Sequence, residues 1–267
     1  MKQILFNGLW LIGIAYLALA AWMFFAQRSL MYFPDRSVPD PAAAGFPDMT
    51  VVSYTTEDGL DLSAWYKEAP AGKPTVVYFH GNAGNLHNHS WVARPLIGAG
   101  YGVLLVEYRG YGGNPGAPTE DGLYADGRAA LAFLDQKGVG MDGIVLFGQS
   151  LGTGVAVKLA AETAPKALIL QSPYTSIADV GQRAYWYMPV KLLAKDRFDS
   201  KSRIGGVTAP LYVVYAEEDE IVPPDITLAL FDAAGEPKTI EAVPGARHND
   251  LGSSGGIEKV LAFLAGL

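Results

Sequence analysis

Six short apolar runs rich in β-branched residues limit what this chain of 267 residues can become. Thr75–Phe79, Val103–Val106, Ile144–Phe147, Ala167–Leu170, Leu211–Tyr215 and Thr239–Val243 follow one another at about 25 to 45 residues, the spacing of parallel strands joined by helical crossovers. Amphipathic stretches such as Leu123–Leu134 and Val155–Ala161 fill the gaps. Two more runs, Val51–Tyr54 and Leu60–Tyr66, flank the turn Glu57-Asp58-Gly59 and read as a strand pair. The expected body, residues 48–267, is α/β: a mostly parallel eight-stranded sheet with helices on both faces.

Ahead of that body, Ile4 to Ala26 carries no charge and one amide side chain, Asn7. As a helix it reaches about 35 Å at about 1.5 Å per residue, enough for a bilayer core of about 30 Å. Ala18-Leu19-Ala20 offers a small-residue cleavage site, but the apolar run continues through Trp22-Met23-Phe24-Phe25, so an uncleaved single-pass anchor over residues 1–28 is expected. Lys2 on one side and Arg28 and Arg36 on the other leave its orientation open. The Pro- and Ala-rich stretch after the anchor reads as a linker over residues 29–47.

Charge and composition exclude several partners. Lys2 and Arg28 are the only charges in the first 28 residues, so the rest holds 18 of the 20 basic residues and all 27 acidic ones. That balance repels nucleic acid, which needs clustered Lys and Arg. The absence of cysteine rules out disulfides, thiolate metal sites and a cysteine nucleophile. No cofactor or metal is expected.

In a parallel sheet, chemistry gathers beyond the carboxyl ends of the strands. Reading on from each run gives His80-Gly81-Asn82, Glu107, Ser150, Gln171-Ser172, Asp219 and His248. Ser150 is the candidate nucleophile. A serine hydroxyl must be presented on a sharp strand-to-helix turn, and crowding there demands glycine two residues either side. Gly148-Gln149-Ser150-Leu151-Gly152 meets this between the run Ile144–Phe147 and the helical Val155–Ala161. The pentapeptide alone is weak, since Gly252-Ser253-Ser254-Gly255-Gly256 repeats it, but Ser254 follows a polar stretch and not a strand. A dehydrogenase-like pattern, Gly148-x-x-x-Gly152-x-Gly154 with Tyr187-x-x-x-Lys191, also fails: its glycine turn belongs after a first strand, and Pro189 interrupts the Tyr-to-Lys interval.

Of four histidines, His248 follows the final strand and is the candidate base. His80 fits a structural or oxyanion-loop role, and His87 and His89 read as surface residues of a loop or helix start. The acid that orients the imidazole comes from Glu217-Glu218-Asp219-Glu220, where distance from the strand end favours Asp219, with Glu218 in reserve. Oxyanion donors are expected at the backbone N–H groups of Leu151 and Asn82. The order Ser, Asp, His is that of α/β-hydrolases.

Tyr78-Phe79-His80-Gly81-Asn82-Ala83-Gly84-Asn85, Tyr108-Arg109-Gly110-Tyr111-Gly112, the Ser150 elbow and Ser172-Pro173-Tyr174-Thr175-Ser176 together resemble the membrane-anchored α/β-hydrolase-domain proteins related to the yeast bud-emergence protein and to mammalian protein depalmitoylases. Gln27-Arg28-Ser29-Leu30-Met31-Tyr32-Phe33-Pro34 is similar to the stretch after the anchor in that family. Two departures, Ala216 where Gly is frequent and Asn114 where Ser is frequent, carry no chemistry. The resemblance implies a Ser150, Asp219, His248 triad, Asn82 and Leu151 as oxyanion donors, and acyl esters or thioesters as substrates, with lipidated proteins or lipids among them. Residues 171–210 leave room for a small cap centred on Ala184-Tyr185-Trp186-Tyr187-Met188-Pro189, whose aromatics either line an acyl pocket or pack a short helix. A membrane-tethered scaffold without catalysis, or a peptidase or acyltransferase, are the competing expectations.

Overall fold

The computed structural model describes residues 2–267. Met1, the first residue of the expected anchor, lies outside the described residues. Eight strands form one sheet: β1 (Thr50–Thr55), β2 (Asp61–Lys67), β3 (Thr75–Phe79), β4 (Gly102–Val106), β5 (Ile144–Gln149), β6 (Ala167–Gln171), β7 (Leu211–Ala216) and β8 (Lys238–Val243). Their order across the sheet is β8-β7-β6-β5-β3-β4-β2-β1. β2 runs antiparallel to both β1 and β4, and every other pairing is parallel. β3 and β4 are buried at every position, as strands covered on both faces must be, whereas edge strand β1 is mostly exposed.

Side-chain alternation divides the core in two. Val77 and Phe79 of β3 join Leu104, Leu146 and Leu170 on one face; Val76 and Tyr78 join Leu105, Phe147 and Ile169 on the other. The first face packs α3 (Glu120–Gln136) and α4 (Leu151–Glu162); the second packs α2 (Ala93–Gly98) and the C-terminal α7 (Ile257–Ala265). Thr119 caps α3 by accepting the Gly122 N–H at 3.0 Å, and Glu120 and Asp121 fall in the first turn, where negative charge is favoured. Between β6 and β7 lies a small cap holding α5 (Ile177–Ala184) and the turn Val190–Leu193; α6 (Pro224–Ala233) follows β7.

The N-terminal helix α1 runs from Lys2 to Met31, three residues beyond the expected end of the anchor at residue 28. Its Leu5–Met31 portion is long and apolar enough to cross a bilayer, and its most apolar 18 residues have a mean hydropathy of 2.1. The stretch after α1 is no free tether. Phe33 and Pro34 pair in parallel with Ala83 and Gly84, and Tyr32, Phe46 and Met49 are buried in the body. Proline and alanine gave this stretch the look of a linker; three large apolar side chains pin it down.

Candidate active site

The register of the sheet assembles the site. Phe79 of β3 lies opposite Gly148 of β5, so the loops after both strands emerge side by side. Between β5 and α4, Ser150 adopts φ 49° and ψ −117°, a strained conformation for an L residue. It persists because the surroundings leave no alternative. A Cβ on residue 152 would sit 2.0 Å from the Phe79 carbonyl oxygen, and one on residue 148 would sit 2.5 Å from the Gly152 carbonyl oxygen. The Ser150 amide donates to the Gln171 carbonyl at 2.9 Å, tying the turn to β6.

His248, in the loop after β8, places Nε2 at 3.0 Å from Ser150 Oγ. Its Nδ1 lies 2.9 and 2.8 Å from the two carboxylate oxygens of Asp219. With Asp219 ionised, Nδ1–H donates to it and Nε2 is free to accept the serine proton. Asp219 also accepts the Ile221 and Val222 amides at 3.0 and 2.7 Å. Burial works to raise its pKa, but the His248 ring and the Val222 amide outweigh it and hold the carboxyl below its ordinary value. Glu218, the reserve acid, is exposed and points no carboxylate at this histidine; only its amide is engaged, by the Ala246 carbonyl.

The loop after β3 supplies the facing wall. The Asn82 side chain donates to the Met31 carbonyl at 2.8 Å, while its own carbonyl accepts the Phe33 amide at 2.9 Å and the Tyr111 hydroxyl at 2.7 Å. Its backbone N–H has no acceptor among the described residues. Leu151 opens α4, so its N–H likewise lacks a partner one turn earlier. His80 braces this loop from beneath, bonded to the Gly81 carbonyl at 2.7 Å and to Glu107 at 3.0 Å, with both side chains buried. Glu107 also accepts the Leu86 amide at 2.9 Å. Its place at a strand end marked it in the sequence; its role as a brace had no local signal.

His89 is not a surface residue: it stacks on His80 with ring centroids 4.7 Å apart, donates Nε2–H to the Ala83 carbonyl at 2.7 Å and lines the cavity above Ser150. Burial, helped by His80, pulls its pKa down to about 3. The four-residue helix Leu86–His89, capped by Asn85, turns it inward while His87 stays exposed, and so short a helix leaves no periodicity to read. The decoys stay apart from the site. Ser254 is exposed in the turn before α7, and Lys191 is paired with Asp179 at 2.6 Å, away from the exposed Tyr187.

A cavity of about 450 Å³ opens over Ser150 and His248. Ile177, Val180 and Met188 of the cap form one side and α1 forms another. Among the cap aromatics only Tyr185 lines it; Trp186 and Tyr187 point outward.

Residues 70–202 match the family described as serine aminopeptidase, S33. An uncharacterized protein of Mycobacterium tuberculosis is 44% identical over 84% of this chain and 81% of its own length. Protein bem46 of Schizosaccharomyces pombe is 32% identical over 99% of this chain and 96% of its own. The lysophosphatidylserine lipase ABHD12 of Danio rerio is 32% identical over 66% of this chain and 51% of its own. Among solved structures, an esterase of Pyrococcus furiosus superposes with a TM-score of 0.72 at 20% identity, covering 88% of this chain and 97% of that one. The esterase domain of a Rhodothermus marinus protein gives 0.63 at 21%, covering 82% and 96%. The elbow, the sheet order and a likeness to bem46 that runs nearly end to end lead to one conclusion: the chain belongs to the α/β-hydrolase-domain family of serine hydrolases.

Proposed function

We propose that this protein cleaves carboxylic esters or thioesters through an acyl-enzyme on Ser150, acting at a membrane to which α1 anchors it. His248 takes the Ser150 proton as Oγ attacks the acyl carbon, and Asp219 steadies the imidazolium that results. The Asn82 and Leu151 N–H groups hold the oxyanion. Collapse expels the alcohol or thiol, which leaves with the proton from His248. Water, deprotonated by the same imidazole, then adds to the acyl carbon and frees Ser150 with release of the carboxylic acid. Lipids and lipidated proteins are the natural candidates as donors of such an acyl group.

The observation that carries this reading is the unbroken chain from Ser150 Oγ through His248 to buried Asp219, opening into an apolar cavity. The family description favours a second reading, aminopeptidase. That chemistry needs an acidic group to hold the substrate's free amine, and Asp196, the carboxylate lining the cavity, is already forked by Arg28 at 2.8 and 3.1 Å. An ester reading therefore ranks above a peptide one.

A fluorophosphonate probe applied to wild type and Ser150→Ala should label only the former. Absence of serine-dependent labelling sinks the enzyme reading in favour of a scaffold. A panel of acyl esters, acyl thioesters and peptides then orders the substrates, with an alcohol acceptor included to detect acyl transfer. Faster turnover of peptides overturns the ester assignment.

A further inference from the structure

The environment of α1 changes at Ala20. From Leu9 to Leu19 every residue is exposed; from Ala20 onward a stripe at helical spacing, Ala20, Met23, Phe24, Gln27, Leu30 and Met31, faces the cavity over Ser150. The stripe is clamped on both sides. Gln27 donates to the Leu193 carbonyl at 3.3 Å and accepts the Lys195 amide at 2.7 Å, while the Lys195 ammonium sits 4.2 Å from the Phe24 ring centroid. At the other end, the Met31 carbonyl receives the Asn82 side chain. The helix end thus joins the cap to the oxyanion loop.

Residues 2–19 rise about 27 Å at about 1.5 Å per residue, close to a hydrocarbon core of about 30 Å. That places the bilayer surface near Ala20, where the stripe begins. The cap climbs about one helical turn past that level, since the Tyr16 hydroxyl donates to the Tyr187 carbonyl at 2.9 Å. Trp186 and Leu192 there are 79% and 81% exposed. Aromatic side chains of this kind favour the lipid–water boundary, with the ring in lipid and the polar edge in water.

We propose that the last three turns of α1 are the acyl-chain wall of the active site, and that a long acyl chain slides in from the bilayer between α1 and the cap. The proposal rests on the hydrolase reading and goes further, since it makes the anchor part of the specificity pocket. Gln27, Met23 and Phe24 then select chain length while Ser150 does the chemistry.

The test uses the full chain in lipid nanodiscs. Ala20→Trp and Met23→Trp, which fill the cavity, should lower the ratio of palmitoyl to butyryl ester kcat/KM tenfold or more. Ala21→Trp adds the same bulk at the same depth on the exposed side and should leave that ratio as in wild type. Fluorophosphonate labelling of each variant shows that its site is assembled. Independently of turnover, a palmitate with a terminal diazirine should photolabel residues 20–31 of the Ser150→Ala chain. A palmitoyl glycerolipid and an S-palmitoylated peptide in the same discs identify which source of the chain is used; cleavage of neither beside rapid butyryl hydrolysis overturns the proposal. An unchanged ratio, or photolabel confined to other segments while the wild type cleaves esters, also overturns it. Photolabelled α1 in a protein that cleaves no ester sinks the hydrolase reading and leaves the acyl wall standing.

Discussion

Asp219 decides how the site behaves as pH falls. Its carboxyl titrates below the ordinary range, so it stays charged where a free aspartate begins to take up protons. Protonation of Asp219 should therefore add nothing to the loss of rate near pH 4, where log kcat/KM for ester hydrolysis keeps the slope it has at pH 5. A slope that steepens between pH 5 and pH 4 overturns that expectation. Replacing Asp219 with Asn keeps the shape but presents the wrong histidine tautomer, with an expected loss of about 10⁴ in kcat, as in other triads of this geometry. Ser150, Asp219 and His248 were all legible in the sequence for one physical reason: each stands just past a strand whose β-branched run announces it. His89 and Glu107 bear on the same site through tertiary contact across the β3 and β4 loops, and nothing within a few residues of either reports that contact.

At the scale of elements, the strand–turn–helix unit around Ser150 depends on missing side chains. Gly152→Ala forces a methyl group into the Phe79 carbonyl, and backbone cannot yield as a flexible side chain does. Overpacking of this sort costs about 1–3 kcal/mol, and the shift of Phe79 also drags the oxyanion loop that follows it. Gly152→Ala should lower the unfolding midpoint and abolish fluorophosphonate labelling. Gly143→Ala, just ahead of β5, meets only Val139 at 3.6 Å and should change stability by less than about 0.5 kcal/mol. Equal behaviour of the two variants, read by thermal unfolding and labelling, contradicts the crowding argument. Strands β3 to β7 could be read as continuous apolar runs because both faces of the sheet are covered there, and the exposed edge strand β1 only as the partner of β2 across the turn Glu57-Asp58-Gly59. The docked stretch after α1 could not: its hold on the body comes from Tyr32, Phe46 and Met49, spaced too widely to form a pattern.

Across the whole molecule, protons link stability to pH through groups whose folded surroundings differ most from water. Asp58 is held well below the ordinary carboxylate range by its two bonds to Arg109, and Glu241 is lowered by Lys259. Each stabilises the fold above the pKa of the unfolded chain, about 4, and loses that contribution as pH falls through its own lower value. Asp126, pushed up to about 6 by burial, works the other way between about 4 and 6, where the folded chain binds the proton more readily. His89 sides with the first group. Unfolded, it takes a proton near 6.5; folded, it refuses one until about 3, so stability drops as pH descends across that interval. His89→Gln removes the difference, and its midpoint of thermal unfolding in detergent should fall less between pH 7 and pH 4 than that of wild type. Parallel curves for the two proteins place the acid sensitivity elsewhere and leave the imidazole beside His80 as packing alone.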